Sequence, residues 1–222
     1  MAKFPEPLGS LGVIRRQHVR LTPDILHEEI YCWDGLLTLY RHGPAGCRNV
    51  LLTCGGALGG TLGPANSLYY DLANRLNADH SVASIRVGYR RPNDLDACTQ
   101  DMIAAAEVAA TDGAEQFVVL GHSFGGAVAI QTGVLLADYA AGVVTLATQS
   151  AGCEDGDRLV GVPTLHLHGD RDEVLPHFAS EMVQMITGGE LVILAGATHG
   201  LGEAAEELRT RLMTWIPERF NN

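Results

Sequence analysis

The stretch that most constrains this chain is Phe117 to Ile130, FVVLGHSFGGAVAI. A β-branched apolar run reaches Gly121-His122-Ser123-Phe124-Gly125-Gly126 and passes directly into a small-residue segment with helical character. A serine held between two glycines at such a junction fits a strand-to-helix turn so sharp that the serine takes strained dihedrals and its neighbours must lack side chains. The turn lifts the hydroxyl above the carboxyl end of a strand. The amino terminus of the next helix then lies beneath it, where unpaired N–H groups favour negative charge.

The rest of the chain supplies a sheet for this strand to join. Residues 17–21 and 35–42 alternate polar and apolar side chains, as half-buried antiparallel edge strands do. Residues 49–54 form a short apolar run that ends in Gly55-Gly56-Ala57-Leu58-Gly59-Gly60, a buried strand entering a glycine-rich loop. Helical patterns follow at residues 65–76, with Leu68, Leu72 and Leu76 on one face, and at residues 95–110, with Asn93 or Asp94 as N-cap. Strands are expected at 82–87, 117–120, 142–148, 164–168 and 191–194, and helices at 178–186 and 204–215. Strands alternating with helices predict a mostly parallel sheet covered on both faces, in a single α/β domain over 1–222. Residues 1–12, rich in Pro, Gly and Ser, read as a loosely ordered arm.

A serine hydroxyl needs a base, and the base needs a group to orient it. In a parallel sheet such groups sit on loops beyond the strands' carboxyl ends. Two loops after the serine qualify: Gly169-Asp170-Arg171-Asp172-Glu173-Val174-Leu175-Pro176, and Gly196-Ala197-Thr198-His199-Gly200. The chain order is therefore serine, acid, histidine.

On these pieces the chain, from about Asn49 onward, resembles the α/β-hydrolase superfamily. The resemblance implies an α/β-hydrolase fold with Ser123 as nucleophile, His199 as base and Asp172 as the acid, the last chosen over Asp170 by the family pattern G-x-x-D-x-x-[VL]-P. It implies an oxyanion hole built from the backbone N–H of Phe124 and a second donor in the glycine-rich loop. Where the family often has His-Gly-x, this sequence has Cys54-Gly55-Gly56. Alignment by strand length gives Gly56 as the donor, alignment by Gly59-Gly60 gives Leu58, and Ala57 lies between.

Only residues 149–161 separate two late strands, too few for the helical lid of many members, so the site should be open. The chain is most similar in this to the dienelactone-hydrolase-like, carboxylesterase and acyl-thioesterase groups, although the dienelactone hydrolases proper carry cysteine at the elbow. The implied activity is hydrolysis of a small-molecule ester or thioester, without metal or organic cofactor. Acyl transfer by the same three residues, and a non-catalytic interaction protein on the same scaffold, are the alternatives.

Other residues have their own readings. His122 is expected to be structural. The spacing His166-x-His168-x-Asp170 resembles a metallohydrolase ligand set, against a default of core histidines satisfied by hydrogen bonds. Arg86, Arg90 and Arg91, at a strand end, either receive an anionic group or form a solvated loop. Glu154, Asp155 and Asp157 sit on another rim loop, and Cys54 and Cys153 are candidates to line the site. The net charge of -11 disfavours nucleic acid and anionic membrane surfaces. The first residues hold prolines and an acid where a secretory leader needs an apolar core, which reads as cytoplasmic. Five cysteines without C-x-x-C spacing read as free thiols.

Overall fold

The computed structural model describes residues 4–220. Fourteen elements carry the fold in the order β1 (Val13–Thr22), β2 (Ile25–Cys32), β3 (Gly35–His42), β4 (Asn49–Cys54), α1 (Pro64–His80), β5 (Ala83–Gly88), α2 (Leu95–Thr111), β6 (Gln116–His122), α3 (Phe124–Leu136), β7 (Ala140–Leu146), β8 (Thr164–Gly169), α4 (Phe178–Thr187), β9 (Glu190–Leu194) and α5 (Ala205–Arg219). They build one nine-stranded sheet in the order β1-β2-β3-β5-β4-β6-β7-β8-β9. The first three strands pair antiparallel, and β3 joins β5 antiparallel. From β5 to β9 every neighbouring pair is parallel.

The central strands are buried on both faces, and their side chains alternate between two cores. On β6, Phe117 and Val119 face the core shared with α2 and α3, while Val118 and Leu120 face the core under α1 and α5. On β8, Leu165 and Leu167 face the α1/α5 side. That leaves His166 and His168 on the opposite face, toward α4. Between β7 and β8 the chain makes only a short 3-10 turn at Glu154–Arg158, so no lid domain is inserted there.

Two expectations need correction. The antiparallel part has three strands, with β2 lying between the two that alternation marks. Its core-facing row is Glu28, Ile30 and Cys32, and the glutamate breaks the apolar period. Glu28 is tolerated there because Arg16 and Arg41 both pair with it. The amino-terminal arm is docked over residues 4–12, with Met1 to Lys3 outside the described residues. Phe4 packs on Phe117 and edge-on to Tyr139, Leu11 is buried, and the Leu8 N–H donates to Glu107.

Two of the three strand-end arginines are structural as well. Arg90 is buried and binds Asp101 through its Nε (2.5 Å) and its backbone N–H (2.8 Å). Its Nη1 reaches Asp34 in the β2–β3 turn. Arg86 is buried between the rings of Tyr40 and Tyr70 and donates to His42 Nε2 and to the Thr61 carbonyl. Arg91 pairs with Asp94, whose carboxylate also caps α2 through the Ala97 N–H. Arg86 and Arg90 are thus spent on internal partners, while Arg91 is the solvated loop cation of the three, half exposed beside Asp94.

Arg90 ties the antiparallel strands to α2 through a fully buried carboxylate. Removing one partner strands a desolvated charge, which costs about 3–5 kcal/mol, whereas replacing both by apolar groups of similar volume costs far less. Arg90→Met, which leaves the buried Asp101 without its cation, is therefore expected to lower the urea-unfolding free energy by that amount, and an Arg90→Met/Asp101→Leu double variant to recover most of it. Equal losses in the single and double variants would contradict the assignment.

Candidate active site

The site begins where β6 becomes α3. Ser123 is the N-cap of α3 at φ 58 and ψ -123, a conformation foreign to most L-residues. It survives because the residues two before and two after it carry no Cβ. A methyl at Gly121 would collide with the Gly125 carbonyl, and one at Gly125 would collide with the carbonyl of Gly55. The Ser123 N–H is held by the Leu146 carbonyl of β7 at 2.8 Å. Strand, turn and glycine-rich loop are thus packed backbone against backbone.

That contact places the glycine-rich loop beside the serine. Gly56 is the loop residue against it, since a Cβ added there would lie 3.5 Å from Ser123 Cβ. Leu58, the other candidate donor, sits at the tip of a turn closed by Gly59 N–H to the Gly56 carbonyl and is 98% exposed. Ala57 shares that turn and packs on the core edge. Two buried tyrosines hold the loop's first carbonyls, Tyr69 through Cys54 O (2.9 Å) and Tyr89 through Gly55 O (3.1 Å).

His199 reaches the serine from the loop after β9. Its Nε2 is 3.1 Å from Ser123 Oγ and its Nδ1 is 2.7 Å from Asp172 Oδ2. A carboxylate only accepts, so Nδ1 carries a proton and Nε2 is left as the acceptor facing the hydroxyl. The Asp172 side chain is fully buried. Burial alone would raise its pKa, but N–H donors from Leu175, His199 and Val174 outweigh that and hold the carboxyl below its usual range.

The neighbouring acids have separate tasks. Asp170 accepts the Gly196 N–H at 2.6 Å, Glu173 accepts the His199 N–H at 3.3 Å, and Glu203 holds the Thr198 hydroxyl. Asp170 makes a turn-to-turn cap and does not touch the imidazole. Between them these carboxylates fix the loop that carries His199. His122 adds to this by placing Nε2 2.9 Å from the His199 carbonyl, which only accepts, so this imidazole donates. Burial brings its pKa down to about 4, so it stays neutral at ordinary pH.

Several other candidates fall outside the site. Cys54 and Cys153 are core thiols pushed up to about 12 by burial, and neither lines the site. Glu154, Asp155 and Asp157 are exposed on the 3-10 turn after β7. His166 lies between Thr145 and Thr187, 2.8 Å from each. His168 lies between Ser180 and Asp172. Both rings of the H-x-H pattern are thus spent on hydrogen bonds, and among the described residues no group of three or more His, Cys, Asp or Glu is placed to hold a metal ion.

The fold recurs in solved structures. Est1E from Butyrivibrio proteoclasticus aligns over 88% of this chain and 99% of its own, with TM-score 0.75 and 17% identity. A dienelactone hydrolase from Anabaena variabilis aligns over 91% and 98%, with TM-score 0.73 and 16% identity. An α/β serine hydrolase without lid from Xanthomonas campestris aligns over 91% and 97%, with TM-score 0.67 and 16% identity. The chain has the α/β-hydrolase fold. No family model matches the sequence, and no curated protein does. No helix among the described residues is long and apolar enough to cross a membrane.

The buried histidines predict how stability should depend on pH. Burial brings His42, His122 and His166 from 6.5 down to about 4. Between those two values the unfolded chain binds protons that the folded chain does not, so stability is full above the unfolded value and falls toward the folded one. Urea midpoints are expected to be level above about pH 6.5 and to drop from there toward pH 4, each histidine adding a slope of roughly 1.4 kcal/mol per pH unit. A flat profile across that window would contradict the buried, neutral assignment.

Proposed function

We propose that the protein is a serine hydrolase that cleaves a small-molecule carboxylic ester or thioester through an acyl-enzyme on Ser123. The observation that carries this reading is the continuous hydrogen-bond path from Ser123 Oγ through His199 to a buried Asp172 carboxylate. Asp172 is ionised and acceptor-only, so it holds His199 with its free lone pair on Nε2, toward the serine.

As the Oγ bonds to the substrate carbonyl carbon, its proton passes to His199 Nε2. The imidazolium that results faces the Asp172 carboxylate, which stabilises it. The carbonyl oxygen, now carrying the negative charge, is received by the backbone N–H groups of Phe124 and Gly56. Each such donor contributes on the order of 3 kcal/mol at the transition state. When the tetrahedral adduct collapses, the bond to the alcohol or thiol breaks and the leaving group takes the proton from Nε2. Water then gives a proton to the same nitrogen while its oxygen attacks the acyl carbon, and collapse releases the acid and restores Ser123. The open strand-end rim, with Gly56 and no lid above the serine, suits a substrate that approaches from solvent.

A series of p-nitrophenyl esters of graded acyl length, with an acyl thioester beside it, tests this reading. Turnover is expected on part of the series. Ser123→Ala and His199→Ala should lower kcat by about 10⁵–10⁶-fold and Asp172→Asn by about 10⁴-fold. Added alcohols or amines should divert little product if water is the acceptor. Full activity in a folded Ser123→Ala variant would overturn the proposal.

A further inference from the structure

His168 is fully buried, yet it touches the group on which His199 depends. It stands one residue before the end of β8, on the face turned toward α4, with Ser180 Oγ 2.7 Å from Nδ1. Its Nε2 lies 3.0 Å from Asp172 Oδ2 and 3.1 Å from the Leu175 carbonyl. Both of those atoms are acceptors, so Nε2 must bear the proton. Nδ1 is then an acceptor, and the Ser180 hydroxyl donates to it. Burial lowers the ring's pKa, against the opposing pull of the Leu175 carbonyl and Asp172, which keeps it a neutral donor.

Asp172 is consequently held by two imidazoles on one oxygen. Oδ2 accepts from His199 Nδ1 and His168 Nε2, while Oδ1 accepts the N–H groups of Val174 and Leu175 at 2.8 Å each. A carboxylate offers about four lone-pair sites. All are filled, so the group has no freedom to rotate and no place for water. Each donor also draws off part of the negative charge that would otherwise act on His199.

We propose that His168 is a positioning residue: its Nε2–H fixes the Asp172 oxygen that orients His199 and tempers how strongly that carboxylate stabilises a protonated His199. The proposal rests on the roles given above to Ser123, His199 and Asp172. Loss of the donor concentrates charge on Oδ2 and raises the pH at which His199 gains its proton. The other charged or titratable groups around the pair are His122 from β6, Asp170 and Glu173 on the acid loop, Glu203 beyond the His199 loop, and the exposed His177–Glu181 pair at the start of α4. None of these is altered in the variants below.

The test compares wild type, His168→Leu and His168→Gln, the last retaining an N–H donor. Two readouts are taken: the acid limb of kcat/KM on the best p-nitrophenyl ester, and the titration midpoint of the His199 ring protons by NMR, which needs no turnover. His168→Leu is expected to move both to higher pH by about half to one unit, and His168→Gln to restore at least half of the shift. A purely structural His168 would lower activity at every pH and move neither. A folded His168→Leu with unmoved limb and midpoint, or a glutamine that restores nothing, overturns the proposal. If the leucine variant does not fold, Ser180→Ala weakens His168 as a donor, and a smaller shift in the same direction is required of it; an unmoved midpoint there counts against the proposal equally. A shifted midpoint in a protein that hydrolyses no ester would defeat the hydrolase reading and keep this one.

Discussion

Three stretches of backbone meet at the elbow with no side chain between them. The carbonyl of Gly125 fills the place of a Gly121 Cβ, and the carbonyl of Gly55 fills that of Gly125. One close approach sets the positive φ of Ser123; the other brings Gly56 beside it. Any Cβ at these positions would separate strand, helix and loop by more than a packed interior can absorb. The nucleophile candidate and the loop that faces it are therefore one packing unit, and Tyr69 and Tyr89 hold that unit from below through two successive carbonyls.

The second requirement is electrostatic. A carboxylate as buried as Asp172 persists in charged form only when its lone pairs are met by donors. Here the loop after β8 folds back on itself to supply two, and two histidines supply the rest. Asp170, Glu173 and Glu203 then anchor the facing loop through its own N–H groups and the Thr198 hydroxyl. A further tie crosses to α1, where Ala65 donates to the Gly200 carbonyl from the first residue of a left-handed turn spanning Ala65, Asn66 and Ser67. Such residues cost roughly 1–2 kcal/mol each, and here they join the glycine-rich side of the site to the histidine side.

Much of this was legible in the sequence because it rests on local rules. Gly121-x-Ser123-x-Gly125 after a β-branched run specifies its own turn, and alternating strand and helix patterns specify a parallel sheet. Strand order put the loops at residues 169–176 and 196–200 at the sheet's carboxyl edge, and the family resemblance chose Asp172 over Asp170 on the first of them. What stayed hidden depends on partners distant in the chain. β2 escaped because Glu28 faces inward, and only Arg16 and Arg41 make that tolerable. Phe4 and Leu11 carry no periodicity and are placed by a core assembled later in the chain. Arg86 and Arg90 look like free cations until Tyr40, Tyr70, Asp34 and Asp101 are folded against them. His168 read as a core histidine, which it is, but no pattern in β8 announces that its outer nitrogen meets Asp172.

A fluorophosphonate probe reports whether Ser123 is an activated nucleophile, without knowledge of the natural substrate. Mass spectrometry of the intact protein followed by peptide mapping should show one covalent adduct, on Ser123, formed rapidly in wild type, slowly when His199 is replaced by alanine, and not at all when Ser123 is. A folded wild-type protein that stays unlabelled, or one labelled at another residue, would contradict the nucleophile assignment.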